Sequence, residues 1–237
     1  MIAAFLIILL IPLTSYIYTY VSTSRTVTEI TIDYEIDKLK LSLGTLQQHL
    51  NRVMSDIKFI SESGDLSRVL RAIENENEDE LENALTEMEA NLSRFAWQNT
   101  IYHHLSYINE TGKEFFRLNN EDSQITIVES EFLQVKSHRD FFKQTMKMKD
   151  GEFYVSNIHL LKENNKIITP YKPVLSYATP VFYPSGNRAG IFLLTSDAQS
   201  FLAGIDSTRQ GESGTLHLVD KDGYFFLNPD TSKLWGR

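Results

Sequence analysis

The first 24 residues carry no charged side chain and are mostly apolar. The apolar run extends from Ile2 to Leu13, and mixed apolar and aromatic residues follow as far as Val21. About 20 such residues are long enough to cross the hydrocarbon core of a bilayer as a helix. The pattern therefore predicts a transmembrane helix over 1–24, with a cleaved signal peptide as the alternative.

From residue 25 to about residue 63 the apolar residues are spaced alternately three and four positions apart. They are Ile36, Leu39, Leu43, Leu46, Leu50, Val53, Ile57 and Ile60. This spacing is typical of the a/d seam of a coiled coil and predicts one long stalk helix over 25–63. Either the seam joins two copies in a homodimer, or the helix packs on its own domain, and both can hold on different segments.

The segment that follows is strongly acidic. Between Glu74 and Glu89 there are eight acidic side chains and no basic one. We interpret them as the solvated face of a helix rather than as a cation site. Asn77 is placed to cap this helix, and the side chain of Glu80 can accept a hydrogen bond from the Asn77 backbone amide in a capping-box arrangement.

The remainder of the first domain consists of short segments separated by turn residues, which is typical of strands. The predicted strands are 101–108, 114–118, 153–158, 174–182 and 189–195, with a short one over 125–128 also compatible with the pattern. A helix over Arg139–Met148 is predicted between them. We therefore expect an α+β domain over 64–208, with a central antiparallel sheet of about five strands flanked by helices.

A second strand pattern begins near the C-terminus. Thr215–Val219 and Tyr224–Leu227 read as two strands joined by a turn at Asp220–Gly223. A lone hairpin cannot bury a core. We therefore expect 209–237 to be the start of a second, incomplete module, which implies a C-terminally truncated chain.

Composition excludes several classes of function. The formal net charge of −8 disfavours nucleic acid as a partner, and the absence of cysteine excludes disulfides, zinc–thiolate sites and thiol nucleophiles. The six histidines show no metal-ligand spacing, and the chain has neither a nucleophile elbow nor a glycine-rich phosphate loop. We predict no metal, no cofactor and no catalytic activity for this chain.

An ordered series of short motifs resembles a known family. The motifs are Arg139-Asp-Phe-Phe142, Lys149-Asp-Gly151, Tyr177-Ala-Thr-Pro-Val181, Gly190-Ile-Phe-Leu-Leu194 and Asp197. Together they resemble the Cache domain, a PAS-like extracytoplasmic sensor fold. The stretch 218–230 looks like the opening of the membrane-proximal module of a double Cache receptor.

The resemblance implies a bacterial membrane receptor, most like a sensor histidine kinase, with diguanylate cyclases and chemoreceptors as the other types. Its sensor domain would lie in the periplasm or outside the cell, anchored in the inner membrane. The implied partners are a small-molecule ligand, the membrane and a second copy of the chain. Ligand binding in the membrane-distal module would be relayed through helices across the membrane.

The resemblance and the strand pattern together indicate eight candidate ligand-binding residues. They are Arg139, Phe142, Tyr154, Ser156, Lys172, Tyr177, Thr179 and Asp197. An arginine fork can hold a carboxylate through two hydrogen bonds, which favours a small carboxylate as the ligand. Alternation puts Tyr177 and Thr179 on one sheet face and Ser176 on the other, and leaves open which face meets the ligand.

Asp197 has two interpretations. The family's amino-acid binders place an acidic partner for the ammonium group there, but an aspartate at this position can also cap the helix that follows. The family's amino-acid pattern expects Trp-Tyr where Phe141-Phe142 stand, which weakens the expectation of an amino acid. Two functions of other classes remain as alternatives: a structural dimerisation module or spacer, and a membrane-anchored enzyme without a recognisable motif.

Overall fold

The computed structural model describes residues 2–121, 123–163, 166–207 and 215–235, and the side chains of 2–11, 206 and 207 are outside this description. The first helix, α1, runs without a break over Ile2–Ser61, so the predicted stalk helix and the segment before it are continuous. Among the described residues no helix is both long and apolar enough to cross a membrane. The predicted transmembrane helix over 1–24 is therefore not shown, and much of its apolar run lies outside the described side chains.

The stalk seam divides into a buried and an exposed part. Val53, Ile57 and Ile60 are buried in the main core, and Leu46 and Leu50 pack against it. Nearer the N-terminus, the exposed seam residues are Ile36, Leu39 and Leu43. The second half of the seam thus packs on its own domain, as one of the two interpretations predicted.

Two shorter helices follow, α2 over Gly64–Glu74 and α3 over Glu78–Gln98. Each begins with a side-chain cap, since Ser63 Oγ accepts a hydrogen bond from the Leu66 amide and Asn77 Oδ1 accepts one from the Glu80 amide. The cap predicted at Asn77 is therefore present. The apolar faces of α1, α2 and α3 cover one side of the sheet.

The sheet contains more strands than predicted. The strands are Tyr102–Asn109 (β1), Glu114–Glu121 (β2), Gln124–Ile127 (β3), Tyr154–Val155 (β4), His159–Leu160 (β5), Lys162–Glu163 (β6), Lys166–Ile167 (β7), Pro173–Phe182 (β8), Arg188–Asp197 (β9), Leu218–Val219 (β10) and Phe225–Leu227 (β11). The main antiparallel sheet has seven of them, in the order β3-β2-β1-β9-β8-β4, with β5 also paired to β8. Of the strand expected over 153–158 only Tyr154–Val155 (β4) is present, and β5 follows that range and pairs with a different part of β8.

The two faces of the sheet differ in character. The helix side is apolar and includes Leu105, Tyr107, Tyr177, Phe192 and Leu194. On the opposite face Phe141 and Phe142 form a smaller core with residues that include Ile108, Ala178, Ile191 and Leu193. These two phenylalanines belong to α4, Asp140–Thr145, which is shorter than the predicted helix at both ends, since Arg139 is its N-cap and Met146 its C-cap.

The last described elements pack against the first domain. Helix α5, Gln199–Ser207, follows β9, and strands β10 and β11 form a separate two-stranded sheet. Phe226, Leu227 and Trp235 lie against the main core. A second small hairpin, β6–β7, is also separate from the main sheet. Its residues Lys162 and Glu163 lie near Ser176 of β8.

Candidate functional site

A cavity of about 390 Å³ lies between the polar face of the sheet and the segments that cover it. We call it the outer cavity. Its walls are His138, Arg139, Asp140, Phe141, Tyr154, Ser156, Asn157, His159, Lys162 and Ser176. A smaller space of about 40 Å³ continues from it toward the sheet, sharing Arg139, Phe141, His159, Lys162 and Ser176, and we call this the inner chamber.

Strand pairing explains why the floor of the inner chamber is polar. Thr195 of β9 lies between His104 of β1 and Ser176 of β8 in one row across the sheet. Ser106 of β1 is paired with Arg117 of β2 in the next row. Side chains in such rows share one face of a sheet, so residues far apart in the chain form one polar surface.

The inner chamber carries an excess of positive charge. Its lining includes four cationic side chains, those of Arg117, Lys136, Arg139 and Lys162. Only two carboxylates, those of Glu114 and Glu163, line it as well, which leaves an excess of two positive charges. The site is therefore suited electrostatically to an anion.

The two carboxylates of the chamber are held differently. Glu114 is buried, and its Oε2 accepts a hydrogen bond of 2.9 Å from the Gln134 amide, with Lys136 Nζ 3.8 Å from Oε1. Glu163 accepts a hydrogen bond of 2.5 Å from Arg117 Nη2. The pKa of Lys136 lies below its ordinary value, chiefly because of burial, and the nearby carboxylate of Glu114 opposes this shift.

Two of the three histidines that line these cavities, His104 and His159, favour their neutral form. Burial lowers the pKa of His104 well below its ordinary value, and the guanidinium of Arg117 lowers it further. Burial likewise lowers the pKa of His159, although the carbonyl of Asn157 acts in the opposite direction. Neutral imidazoles add no charge to the site and can both donate and accept hydrogen bonds.

Arg139 reaches the cavity from the N-terminal end of α4. Its guanidinium lies 5.7 Å from the ring centre of Phe141, and it makes no hydrogen bond or ion pair with any residue that the structure describes. An arginine fork without an acceptor, in the wall of a cavity, is available to a ligand carboxylate.

Three of the eight predicted residues meet in the outer cavity. Arg139, Tyr154 and Ser156 line it, and the Ser156 Oγ accepts a hydrogen bond of 2.9 Å from the Ser176 amide, which holds the edge of the sheet. Phe142 packs in the apolar cluster behind Phe141. The cavity face is thus the face of Ser176, which the sequence left undecided.

The other four predicted residues do not line the outer cavity or the inner chamber. Tyr177 is fully buried on the helix side, and Thr179 donates a hydrogen bond of 3.0 Å to the Glu152 carbonyl. Lys172 Nζ lies 3.9 Å from Glu121. The Asp197 carboxylate accepts hydrogen bonds from the Gln199 and Ser200 amides at the start of α5, which is the capping arrangement.

Several lining residues were absent from the sequence prediction. The main ones are His104, Ser106, Glu114, Arg117, Lys136, Ser176 and Glu163. A sequence signal existed for two of them, since His104 and Ser106 are polar residues two positions apart in β1 and therefore lie on the same face of the sheet. In the described part of the chain no group of three or more potential metal ligands is found.

Comparison with known proteins places this architecture among bacterial sensor domains. A family model described as "Bacterial histidine kinase, sensor domain" matches residues 32–237. The comparison with curated proteins gives no match. The family model describes a sensor domain, not a catalytic one.

Solved structures with the same fold come from several receptor types. The extracellular domain of vpHK1S-Z8, described as a histidine kinase, has a TM-score of 0.71 at 20% identity, covering 88% of this chain and 74% of its own. A domain of a sensory box/GGDEF family protein from Vibrio parahaemolyticus has a TM-score of 0.66 at 20% identity, covering 84% and 75%. The ligand-binding domain of the Campylobacter jejuni chemoreceptor Tlp3, in complex with L-norvaline, has a TM-score of 0.59 at 13% identity, covering 86% and 71%. These matches confirm the predicted resemblance to the sensor domains of bacterial receptors.

Proposed function

The chain belongs to the family of bacterial histidine kinase sensor domains, and from this premise we propose that it senses a small carboxylate. The ligand would bind in the outer cavity, with its carboxylate on the guanidinium of Arg139. Tyr154 and Ser156 line the same cavity, where a phenol and a hydroxyl can bind the polar groups of the ligand.

The observation that carries this proposal is the unpaired guanidinium of Arg139 in a site with excess positive charge. Arg139 is partly exposed and its guanidinium has no acceptor among the described residues, so its donors are free for an anion that enters the cavity. Arginine offers two parallel donors, which matches the geometry of a carboxylate better than that of chloride.

An amino acid is the second candidate, and Asp140 is the observation that favours it. This carboxylate also lines the outer cavity, next in sequence to Arg139. The pair could hold the two charged groups of a zwitterion. The neighbour Tlp3 is described in complex with an amino acid, L-norvaline. Asp197, the acidic partner suggested by the sequence, caps α5 instead.

We further propose that the exposed part of the α1 seam joins two copies of the chain. Ile36, Leu39 and Leu43 lie at heptad positions and are exposed in the single chain. Apolar residues at such positions are buried when two helices form a coiled coil. A homodimer would allow ligand binding to change the relation between two stalk helices.

The uncharged apolar stretch over 1–24 supports a membrane anchor that precedes the stalk. On this proposal the sensor domain over 64–208 lies outside the cytoplasm, and 209–237 opens a second, membrane-proximal module. A relay through α1 would connect the ligand site to a signalling domain, of the histidine kinase type by family.

A thermal-shift screen of the full chain against small carboxylates, amino acids and amines tests the ligand. A ligand at a hundredfold excess over Kd adds about 2.7 kcal/mol, which raises Tm by several degrees. We expect a carboxylate to stabilise the chain and Arg139→Ala to abolish the effect. Lys143→Ala is the control, because Lys143 is an exposed cation on the same helix outside the cavity.

The outcomes separate the candidates. Stabilisation that survives Arg139→Ala removes Arg139 from the site, and stabilisation by amino acids alone favours the zwitterion. A screen without any stabilising compound would contradict direct sensing of these three classes of ligand.

A further inference from the structure

Arg117 is a second carboxylate-binding side chain, and it lies deeper than Arg139. Only 5% of its side chain is exposed. Its Nε donates a hydrogen bond of 2.8 Å to Asn119 Oδ1, which fixes the orientation of the guanidinium. Its Nη2 donates a hydrogen bond of 2.5 Å to Glu163 Oε1 and lies 3.3 Å from His104 Nε2. The arginine is therefore held by the sheet, with one side of its fork on Glu163.

Glu163 comes from outside the sheet. It belongs to β6 of the small β6–β7 hairpin, which is not part of the seven-stranded sheet. Its side chain is 34% exposed, whereas that of Glu114, the other acid near Arg117, is 2% exposed. Glu114 is tied by the Gln134 amide, and its nearest approach to Arg117 is 4.0 Å. Of the two carboxylates, Glu163 is the one that can leave Arg117 without unfolding the sheet.

The Arg117–Glu163 pair lies between two cavities. The two residues line the inner chamber, and both also line a separate cavity of about 380 Å³ near Phe132 and Gln134. On the chamber side Ser106 is fully buried, and its Oγ has no hydrogen-bond partner in the described part of the chain. A buried hydroxyl without a partner is costly, and it lies in the chamber where an incoming polar group could bond it.

We infer that Glu163 occupies, in the free protein, a position on Arg117 that a ligand carboxylate takes when the site is filled. Glu163 is then an internal competitor of the ligand. Displacing it breaks the ion pair that joins β6 to Arg117 of the sheet. This inference rests on the proposed sensing of a carboxylate and adds a second anchoring residue to it.

The charges of the chamber support the exchange. With Glu163 in place the lining has four cations and two carboxylates. Removal of Glu163 leaves an excess of three positive charges, and one incoming carboxylate restores the original balance. The exchange replaces one anion by another on the same donor, so Arg117 stays paired throughout.

Chemical rescue tests the inference without knowledge of the natural ligand. Glu163→Ala removes the internal carboxylate and leaves its position on Arg117 open to acetate. We expect acetate to raise the Tm of the Glu163→Ala chain in a saturable way, with half-saturation at least tenfold lower than in the wild-type chain. Acetamide, which has the same shape but no charge, should have no such effect.

Glu131→Ala is the matched control. Glu131 is an exposed acid that lines the neighbouring cavity but not the chamber, so its removal should not create a response to acetate. If Glu163→Ala does not fold, Glu163→Gln keeps the size of the side chain, and its response to acetate should still exceed that of the wild-type chain.

The result that overturns the inference is a folded Glu163 variant that responds to acetate no better than the wild-type and Glu131→Ala chains. An equal response to acetamide would overturn it as well. Failure of the ligand screen with successful acetate rescue would contradict the proposed function alone. A ligand that depends on Arg139, combined with failed rescue, would contradict only the role of Glu163.

Discussion

Gly190 is the residue at which the sheet leaves no room for a side chain. It has a φ of +138° and is paired with Asn109 of β1. A Cβ added there would lie 2.1 Å from the Ile108 carbonyl oxygen and 2.8 Å from backbone atoms of Asn109. Because both the backbone conformation and the space exclude a side chain, the strand must shift to accept one.

We expect Gly190→Ala to lower the free energy of unfolding by about 2–4 kcal/mol, as strain and displaced backbone add together. Urea denaturation followed by circular dichroism measures the change. Gly44→Ala is the counterpart in exposed α1, where no heavy atom lies within 4 Å of the new Cβ. It should stabilise the chain by about 0.5–1 kcal/mol. A loss for Gly190→Ala no greater than about 0.5 kcal/mol would show that the strand accommodates the methyl group.

Residue by residue, membership of a motif did not by itself place a side chain in the candidate site. Arg139 lines the outer cavity, whereas Tyr177 and Asp197, which also belong to the motifs, do not. Arg117 and Glu163 meet across 46 residues of sequence. Their contact depends on strand register and on the hairpin that covers the sheet, neither of which a single sequence determines.

At the scale of elements, α1 combines two environments along one seam. Ile57 is fully buried in the main core, whereas Leu43, two heptads earlier at an equivalent position, is 62% exposed. Both are aliphatic residues of the same helix. Truncating each to alanine therefore compares burial within the domain with exposure on the stalk.

We expect Ile57→Ala to lower the free energy of unfolding of the monomer by about 2–5 kcal/mol through lost burial and the cavity left behind. Leu43→Ala should change it by no more than about 0.5 kcal/mol. Urea denaturation at a protein concentration too low for dimerisation measures both. Equal losses would mean that the N-terminal part of the seam is also buried against the domain, contrary to its exposure in the single chain.

Long periodic elements were predicted better than short ones. The stalk helix shows its period over several heptads, and strands β1, β8 and β9 are eight to ten residues long and bounded by turns, and the structure confirms these four elements. Strands β4 and β5 have two residues each, too few to show alternation, and they exist because β8 offers free backbone groups along its edge. The count of about five strands was therefore wrong for a physical reason, since edge pairing is a property of the partner strand.

At the scale of the whole molecule, the sheet separates the outer cavity from α1. Ser176 faces the cavity and its neighbour Tyr177 faces the helices. A displacement of β8 would therefore move side chains on both faces of the sheet. The Tyr102 hydroxyl donates a hydrogen bond to the Asp56 carboxylate of α1, which ties the start of β1 to the stalk. This arrangement gives a direct path of contacts from cavity to stalk.

Four of the six histidines, His49, His103, His104 and His159, are partly buried, which makes the stability of the whole chain depend on pH. Burial is the largest cause that lowers the pKa of His49, His103, His104 and His159. Each therefore stays neutral in the folded chain at a pH where the unfolded chain, with an ordinary pKa near 6.5, already binds a proton. Below that pH the unfolded state binds more protons than the folded state, so stability must fall as pH falls.

We expect the free energy of unfolding to be nearly constant above pH 7.5 and to decrease steadily between pH 6.5 and 5. Each neutral histidine contributes a slope of up to about 1.4 kcal/mol per pH unit. Urea denaturation at pH 7.5, 6.5 and 5.5 measures this slope. His104→Asn removes the most deeply buried of the four groups and should reduce the slope, whereas His217→Asn, at an exposed position, should leave it unchanged. A slope of zero, or stability that rises on acidification, would mean that these histidines gain protons in the folded chain, which would require an anionic partner for each within the fold.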